Sequence, residues 1–310
     1  MIYTLTLNPA IDLFIETNQL EPNIVNRTES SDIQANGKGV NVSFILHRMN
    51  IDNTALGFIG GFTGHYIESQ LNEQSIQTDF IDIPGNTRIN VFTNVNATQT
   101  EYKLVNKGPQ VPQDKQAELL MQLQELTEND FLCISGSFAQ GIDPSILIKI
   151  AEIAAQNQFK LVIDTSYQEV PETFKYHPFL VKPNEVELSH WFNYSTVPDR
   201  QTLIQLTRKA VQMGVQNVLL SLGAEGALFV NKDEVLYGNA PQITVVNTAG
   251  SGDTMLGTFL GGIVQHMPAA ANLQHSIAAG SDTTQSSWIT DFKNVPELEK
   301  QVTIQKLGGK

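Results

Sequence analysis

Four short clusters of small, cationic and carboxylate residues hold the chemistry available to this sequence. The most pointed is Asn247-Thr248-Ala249-Gly250-Ser251-Gly252-Asp253, which runs into a long stretch of helical pattern. Small residues at a helix start let a ligand approach the backbone, and the unpaired N–H groups there form an anion cradle. A carboxylate at the same end is poorly placed to bind the anion. It is well placed to take a proton from a hydroxyl that attacks it. Asp253 could equally cap the helix, the commoner use of such a residue on its own.

The second cluster, Asn36-Gly37-Lys38-Gly39-Val40-Asn41-Val42, is another Gly-rich turn feeding a helix. It is not a Walker A motif, which ends Gly-Lys-Ser/Thr after a longer loop. Lys38 could meet a phosphate, and Asn41, one turn on, offers a sugar hydroxyl both a donor and an acceptor. An ordinary turn with a solvated lysine fits as well. In the third, Lys182-Pro183-Asn184-Glu185-Val186-Glu187-Leu188, Asn184 and Glu187 share a helical face as a pair of hard oxygens suited to hydrated Mg²⁺, or simply as a cap. The fourth, Ser221-Leu222-Gly223-Ala224-Glu225-Gly226-Ala227, is a Gly-punctuated turn between strands. It is either a plain turn or, at the C-terminal edge of a parallel sheet, a place where a nucleotide lies.

These clusters need a scaffold, and the pattern supplies one. Strand-like runs fall at 2–7, 54–59, 131–135, 160–164, 179–181, 217–221 and 227–230. Helical ones fall between them at 38–49, 64–73, 115–126, 144–155, 185–192 and 200–213. Such alternation predicts βαβ units on a mainly parallel sheet. Asp143-Pro144 is an N-cap with Pro at the first helical position, and Gly214 closes the helix before it. From 250 the chain turns helical, at 250–266, 268–285 and 296–301, with 306–310 expected to fray. Residues 12–33 and 88–105 instead alternate polar and apolar side chains, which predicts a small antiparallel layer projecting from the body, as a lid or an interface.

Composition narrows the partners. With 19 Lys+Arg against 32 Asp+Glu, a net charge of −13 argues against nucleic acid, whose backbone demands clustered cations. If the ligand is a phosphate, the few cations inside Gly-rich motifs are the ones that must meet it. A single cysteine, Cys133, excludes an internal disulfide and sits in an apolar run as a small buried hydrophobe. The N-terminus lacks the pattern of a signal peptide, and no apolar run is long enough for a membrane span. A cytoplasmic location, away from membranes, is expected.

Together and in this order, the motifs resemble those of the pfkB-type carbohydrate kinases of the ribokinase-like superfamily, over essentially the whole chain. Gly37 to Val42 matches one signature and Thr248 to Asp253 the more specific other. The resemblance implies a single domain over 1–310: an α/β three-layer sandwich with a mainly parallel central sheet, and a β lid formed by about 12–35 and 88–106. It implies ATP and Mg²⁺ as co-substrate and metal. Asp253 would be the base, with Gly250, Ser251 and Gly252 giving N–H groups to the transferred phosphoryl. Lys182, Asn184, Glu187, Ser221, Gly223, Glu225 and Gly226 would serve the nucleotide, with Asn184 and Glu187 organising Mg²⁺ through water.

Within the family, the similarity is greatest to the phosphosugar branch. It rests on Leu7-Asn8-Pro9-Ala10-Ile11-Asp12, Asn26-Arg27 and Thr87-Arg88-Ile89-Asn90-Val91. This branch implies that Asp12 and Asn41 hold sugar hydroxyls and that Gly37 and Ser137 shape the sugar site. Lys38 and Arg88 would bind the phosphate already on the acceptor, with Arg27 assisting from the lid. Fructose 1-phosphate is the expected acceptor, and tagatose 6-phosphate the alternative. A non-catalytic regulator on the same fold is a reading of another class, which the intact Asp253, Gly250 and Gly252 oppose. A nucleoside kinase would need no phosphate clamp. The exposed edges of the lid predict a homodimer through it. The chain departs from the family's usual pattern at Asn36 (often Gly), Ser251 (Ala), Asn247 (Asp), Phe92 (often Lys) and Tyr167 (Gly).

Overall fold

A computed structural model describes residues 1–308. Among the described residues, ten strands form the central sheet. In chain order its parallel strands are β1 (Ile2–Thr6), β4 (Asn53–Ile59), β5 (Gln77–Asp82), β8 (Phe131–Ser135), β9 (Lys160–Asp164), β10 (Leu180–Val181) and β11 (Asn217–Ser221). They are followed by antiparallel β12 (Ala227–Asn231), β13 (Val235–Gly238) and β14 (Ile304–Leu307). In space β1 lies between β4 and β8, so successive strands are laid down first on one side of β1 and then on the other. The cleft at the carboxyl ends of strands around such a reversal is where α/β sheets bind ligands.

The strands are apolar on both faces because helices cover both. Leu132 and Ile134 of β8 face α3 (Gln113–Leu123), α4 (Ile146–Asn157), α5 (Glu185–Trp191) and α6 (Arg200–Gln212), through Leu119, Leu147, Leu188 and Leu206 among others. Phe131 and Cys133 face α1 (Lys38–Arg48), α7 (Ser251–Val264) and α8 (Ala269–Thr284), through Val42, Phe259 and Ile277. Helices α2 (Gly61–Glu73) and α9 (Val295–Glu299) complete this layer. Three layers result, and burial pushes the Cys133 thiol up to about 12, so it is inert as well as buried.

A second sheet of four strands stands off this body in the order β3 (Thr28–Asn36), β2 (Ala10–Thr17), β6 (Arg88–Val95), β7 (Thr100–Leu104). Its outer pairs are antiparallel, but the central pair, β2 with β6, is parallel. The expectation of an antiparallel layer therefore needs correction. Both central strands leave the main sheet after parallel strands, β2 after β1 and β6 after β5, so they run outward together.

Three strands escape the sequence reading: β5, β13 and β14. The last overlaps the tail expected to fray, since Lys306 and Leu307 pair with Leu236 and Val235; 309–310 lie outside the described residues. Alternation in so short and half-exposed an edge strand is too weak to see. Helix α4 starts later than Pro144, because Asp143 Oδ1 accepts from Ser145 N (2.9 Å) and caps a turn before the helix.

Candidate active site

The four clusters arrive around the carboxyl edge of the central sheet. Two cavities open there, one of about 390 Å³ under the second sheet and one of about 950 Å³ beside β11 and α7.

The smaller cavity is walled by Asp12, Asn36, Gly37, Lys38, Arg88, Asn90 and Ser137. Register puts Asp12 opposite Asn90 across the parallel pair. Asp12 is buried, and its two oxygens accept from Asn90 Nδ2 (2.8 Å) and Asn36 Nδ2 (2.6 Å). Burial raises its carboxyl above the ordinary range, against the pull of Asn90, Arg88 and Asn36. Arg88 donates to the carbonyls of Asn8 (2.9 Å) and Asn106 (3.0 Å), which fixes its guanidinium against the 105–108 loop. Its Nε is buried with no partner. A buried charged donor without an acceptor fits an anionic ligand in this cavity.

A charge cluster, buried except for Lys38 in the wall of the smaller cavity, joins the Lys38 and Lys182 motifs. Asp164, at the end of β9, receives Lys38 Nζ at 3.3 Å and Lys182 Nζ at 3.1 Å on one oxygen. Burial would push the Asp164 carboxyl up, but Lys182 and Lys38 outweigh it and hold it below the usual carboxylate range. Asp164 in turn drives Lys38 above the normal lysine range. Asp253, in the first turn of α7, is buried and accepts from Asn41 Nδ2 at 2.9 Å. Burial raises its carboxyl; Lys38 opposes this, Asp164 adds to it, and Asn41 and Lys182 oppose it again, with a net rise. A base whose proton affinity is raised toward neutrality is a better proton acceptor.

The anion cradle is built by Gly250, which caps α7 in the left-handed region at φ +78°. That turn aims the first N–H groups of the helix, those of Gly252 and Asp253, outward with no intrahelical partner. A Cβ on Gly252 would lie 3.3 Å from Lys182 Nζ, so the ammonium stands directly beside the cradle. Ser251 donates both its hydroxyl (2.9 Å) and its backbone N–H (3.4 Å) to Thr248 O, which leaves the open N–H groups to Gly252 and Asp253. Open backbone N–H groups, an ammonium and room that a side chain would fill suit a phosphate.

The larger cavity is lined by Asn184, Ser221, Gly223, Gly226, Ser251 and Gly252, with apolar walls from Pro241, Ile243, Met255 and Ile277. Its polar floor and greasy sides are those of a site for a flat, phosphate-bearing ligand. Asn184 and Glu187 form a reciprocal capping box at the start of α5: Asn184 Oδ1 accepts from Glu187 N (2.8 Å) and Glu187 Oε2 from Asn184 N (2.9 Å). The capping alternative therefore holds, and it leaves Glu187 Oε1 over. Asn184 reaches the large cavity and Glu187 the small one, so the pair spans the boundary between them. Among the described residues no group of three or more His, Cys, Asp or Glu could hold a metal directly.

Two expected site residues are not brought in. Glu225 turns away from the cavity to pair with Arg200, which stacks on Tyr237 at 4.5 Å. Its place beside Gly223 and Gly226 in sequence made it a candidate; the short helical turn there points it outward. Arg27 lies exposed between β2 and β3 and borders neither cavity. Conversely, Asn36 and Asn90 hold Asp12 although sequence reading gave them no role. The walls from 240–245 and α8 carry no local signal at all.

The pattern of the pfkB family carbohydrate kinase matches residues 5–291. The chain is 41% identical over 307 residues to the D-tagatose-1-phosphate kinase of Bacillus licheniformis, covering 99% of this chain and 100% of that one. It is 32% identical to the 1-phosphofructokinase of Bacillus subtilis, with the same coverage. The crystal structure of Escherichia coli phosphofructokinase-2 in complex with substrates and products superposes with a TM-score of 0.88 at 25% identity, over 96% of this chain and 98% of that one.

Proposed function

The chain belongs to the pfkB family of carbohydrate kinases, ATP-dependent enzymes that phosphorylate sugars and sugar phosphates, and we propose that its acceptor is a ketohexose 1-phosphate. D-Tagatose 1-phosphate stands ahead of its C4 epimer D-fructose 1-phosphate. The observation that carries the reading is the small cavity, with Arg88 Nε unpartnered in its wall and Lys38 reaching from it to the Asp253 cluster. Fructose 1-phosphate was the acceptor expected from motifs, and tagatose 6-phosphate the second. The 41% identity to a D-tagatose-1-phosphate kinase along the full length moves tagatose 1-phosphate to the front.

In this mechanism Arg88 and Lys38 hold the existing phosphate, and Asp12 and Asn41 orient the ring hydroxyls. The C6 hydroxyl is directed at Asp253, whose Oδ1 takes its proton as the C6 oxygen bonds to the γ-phosphorus and the β–γ bridge breaks. The N–H groups of Gly252 and Asp253, with Lys182, stabilise charge on the moving phosphoryl. Mg²⁺ on ATP supplies charge neutralisation at the phosphates, and Asn184 and Glu187, through Glu187 Oε1 and water, are the residues that would hold it. Closure of the second sheet as a lid excludes water and limits ATP hydrolysis.

The test compares initial rates of ADP formation from MgATP with D-tagatose 1-phosphate, D-fructose 1-phosphate, D-tagatose 6-phosphate and free D-tagatose, with Asp253→Ala beside each. Preference for the 1-phosphates, lost in the variant, is expected. Preference for the 6-phosphate would reverse the assignment of the accepting hydroxyl, and turnover surviving in Asp253→Ala would remove the base.

A further inference from the structure

Asp12 and Asp253 lie on different elements, one on a lid strand and one at the start of a body helix, yet a continuous run of side-chain hydrogen bonds joins them. Asn36 Nδ2 donates to Asp12 Oδ2 at 2.6 Å. Asn36 Oδ1 accepts from Asn41 Nδ2 at 3.0 Å, and the same nitrogen donates to Asp253 Oδ2 at 2.9 Å. At the other end Asn90 Nδ2 donates to Asp12 Oδ1 at 2.8 Å, and Asn90 Oδ1 accepts from Asn106 N at 3.1 Å. Asn36 is the last residue of β3 and immediately precedes the glycine that caps α1. It is thus the point where lid and body meet.

We propose that Asn36 is a positioning residue that sets the acceptor-binding carboxylate of Asp12 and the basic carboxylate of Asp253 together, through Asn41. The inference rests on the reading of Asp253 as the base. The orientation of the Asn41 amide carries the argument. Its Oδ1 is buried without a partner, so nothing on that side holds it. What holds it are two acceptors that both require an N–H: Asn36 Oδ1 and Asp253 Oδ2. A flipped amide would set oxygen against both. Asn36 is itself held by three bonds, because its Oδ1 also accepts from Gly37 N at 2.6 Å. Removing its side chain frees the Asn41 amide and takes one of the two donors from Asp12.

Both carboxylates then hold protons more tightly. Asp253 keeps Lys38 from α1, Lys182 from beyond β10 and Asp164 from β9 as its charged neighbours, while the Asn41 bond that favours its ionised form is loosened, since Asp253 alone now orients that amide. Asp12 keeps Arg88 from β6 and Asn90, and loses Asn36. Glu187, on the small cavity wall, faces Lys38 and adds to the rise in its proton affinity. The acid limb of kcat therefore moves to higher pH in Asn36→Ala. The KM for the sugar phosphate rises, most steeply at acid pH.

The experiment is a pH profile of kcat and of both KM values for the full-length enzyme, with D-tagatose 1-phosphate and MgATP, in wild type, Asn36→Ala and Asn36→Ser. Asp253→Asn runs beside them. For Asn36→Ala we expect kcat at neutral pH to fall about 10- to 100-fold, the size of one hydrogen bond to a charged group. The acid limb should shift upward and the KM for ATP stay within about twofold. Asn36→Ser, whose hydroxyl can keep one of the two bonds, should fall between. A lowered kcat with an unmoved acid limb, or unchanged kinetics with only a lower Tm, would overturn the coupling while inactive Asp253→Asn left the base in place. An active Asp253→Asn would remove both.

Discussion

Asp164→Asn separates the charge logic of this site from its shape. The side chain keeps its volume but loses the negative charge that two ammonium groups share. The cluster of Asp164, Asp253, Lys38 and Lys182 goes from neutral to a charge of +1. Lys38 is 39% exposed and can turn to solvent, whereas Lys182 is 4% exposed and cannot. The cost thus falls on one stranded ammonium. Breaking a buried pair by removing one partner costs about 3–5 kcal/mol. At about 2–4 °C per kcal/mol for domains somewhat smaller than this one, Tm should fall by about 5–15 °C. The folded carboxyl of Asp164 is depressed, so its contribution is present above the unfolded pKa of about 3.9 and lost as pH falls through the folded value. The gap between wild type and variant should hold from neutral pH downward and close only below about pH 4.

Kinetics give the sharper reading, because Asp164 raises the proton affinity of Asp253 while Lys38 and Lys182 lower it. Removing Asp164 leaves the two cations unopposed. The acid limb of kcat should move to lower pH, the reverse of the shift expected for Asn36→Ala. Calorimetry from pH 3 to 9 and a pH–rate profile on the same preparation test both halves. A Tm within about 2 °C of wild type would show that the Asp164 charge does not anchor the two lysines, and an acid limb displaced upward that it does not act on Asp253 in this way.

Three further outcomes follow from the geometry. Arg88→Ala removes the guanidinium proposed to clamp the acceptor phosphate, with its bonds to the Asn8 and Asn106 carbonyls; the KM for the sugar phosphate should rise about 100-fold with the KM for ATP unmoved. Steady-state kinetics should also show the preference over the unphosphorylated sugar largely gone. Gly250→Ala forces a side chain into φ +78° and sets its Cβ 3.0 Å from Ile289 Cγ2, so a loss of about 1–3 kcal/mol in urea unfolding and a larger loss in kcat are expected. The edge strands β3 and β7 leave Ile33, Tyr102 and Leu104 from 48% to 64% exposed; light scattering at micromolar concentration should give twice the chain mass of 34.2 kDa, and a monomer would remove the lid interface.

How far the sequence foretells this site depends on where each residue's partners lie. Gly250, Ser251 and Gly252 are legible because a cradle is a local object: a left-handed cap and the helix behind it, all within a few residues. Gly37 and Lys38 are legible for the same reason. Asp12 and Arg88 become so only through family resemblance, since nothing within a turn of either says that a parallel strand pair will bring them to one cavity. The residues whose roles slipped through depend on sets of partners that no single motif contains. Asp164 ends an ordinary apolar strand, and its lysines come from α1 and from the loop after β10, more than a hundred and about twenty positions away respectively. Sheet order alone turns that strand end into an anchor. Asn36 shows the other kind of blindness. Against its relatives it read only as a small departure from glycine. In the fold that same amide makes three hydrogen bonds, one to the Asp12 carboxylate and one to the Asn41 amide that bonds Asp253. A residue that departs from a family's pattern beside its signature therefore carries information, and the place to look for its meaning is the pair of groups it has come to link.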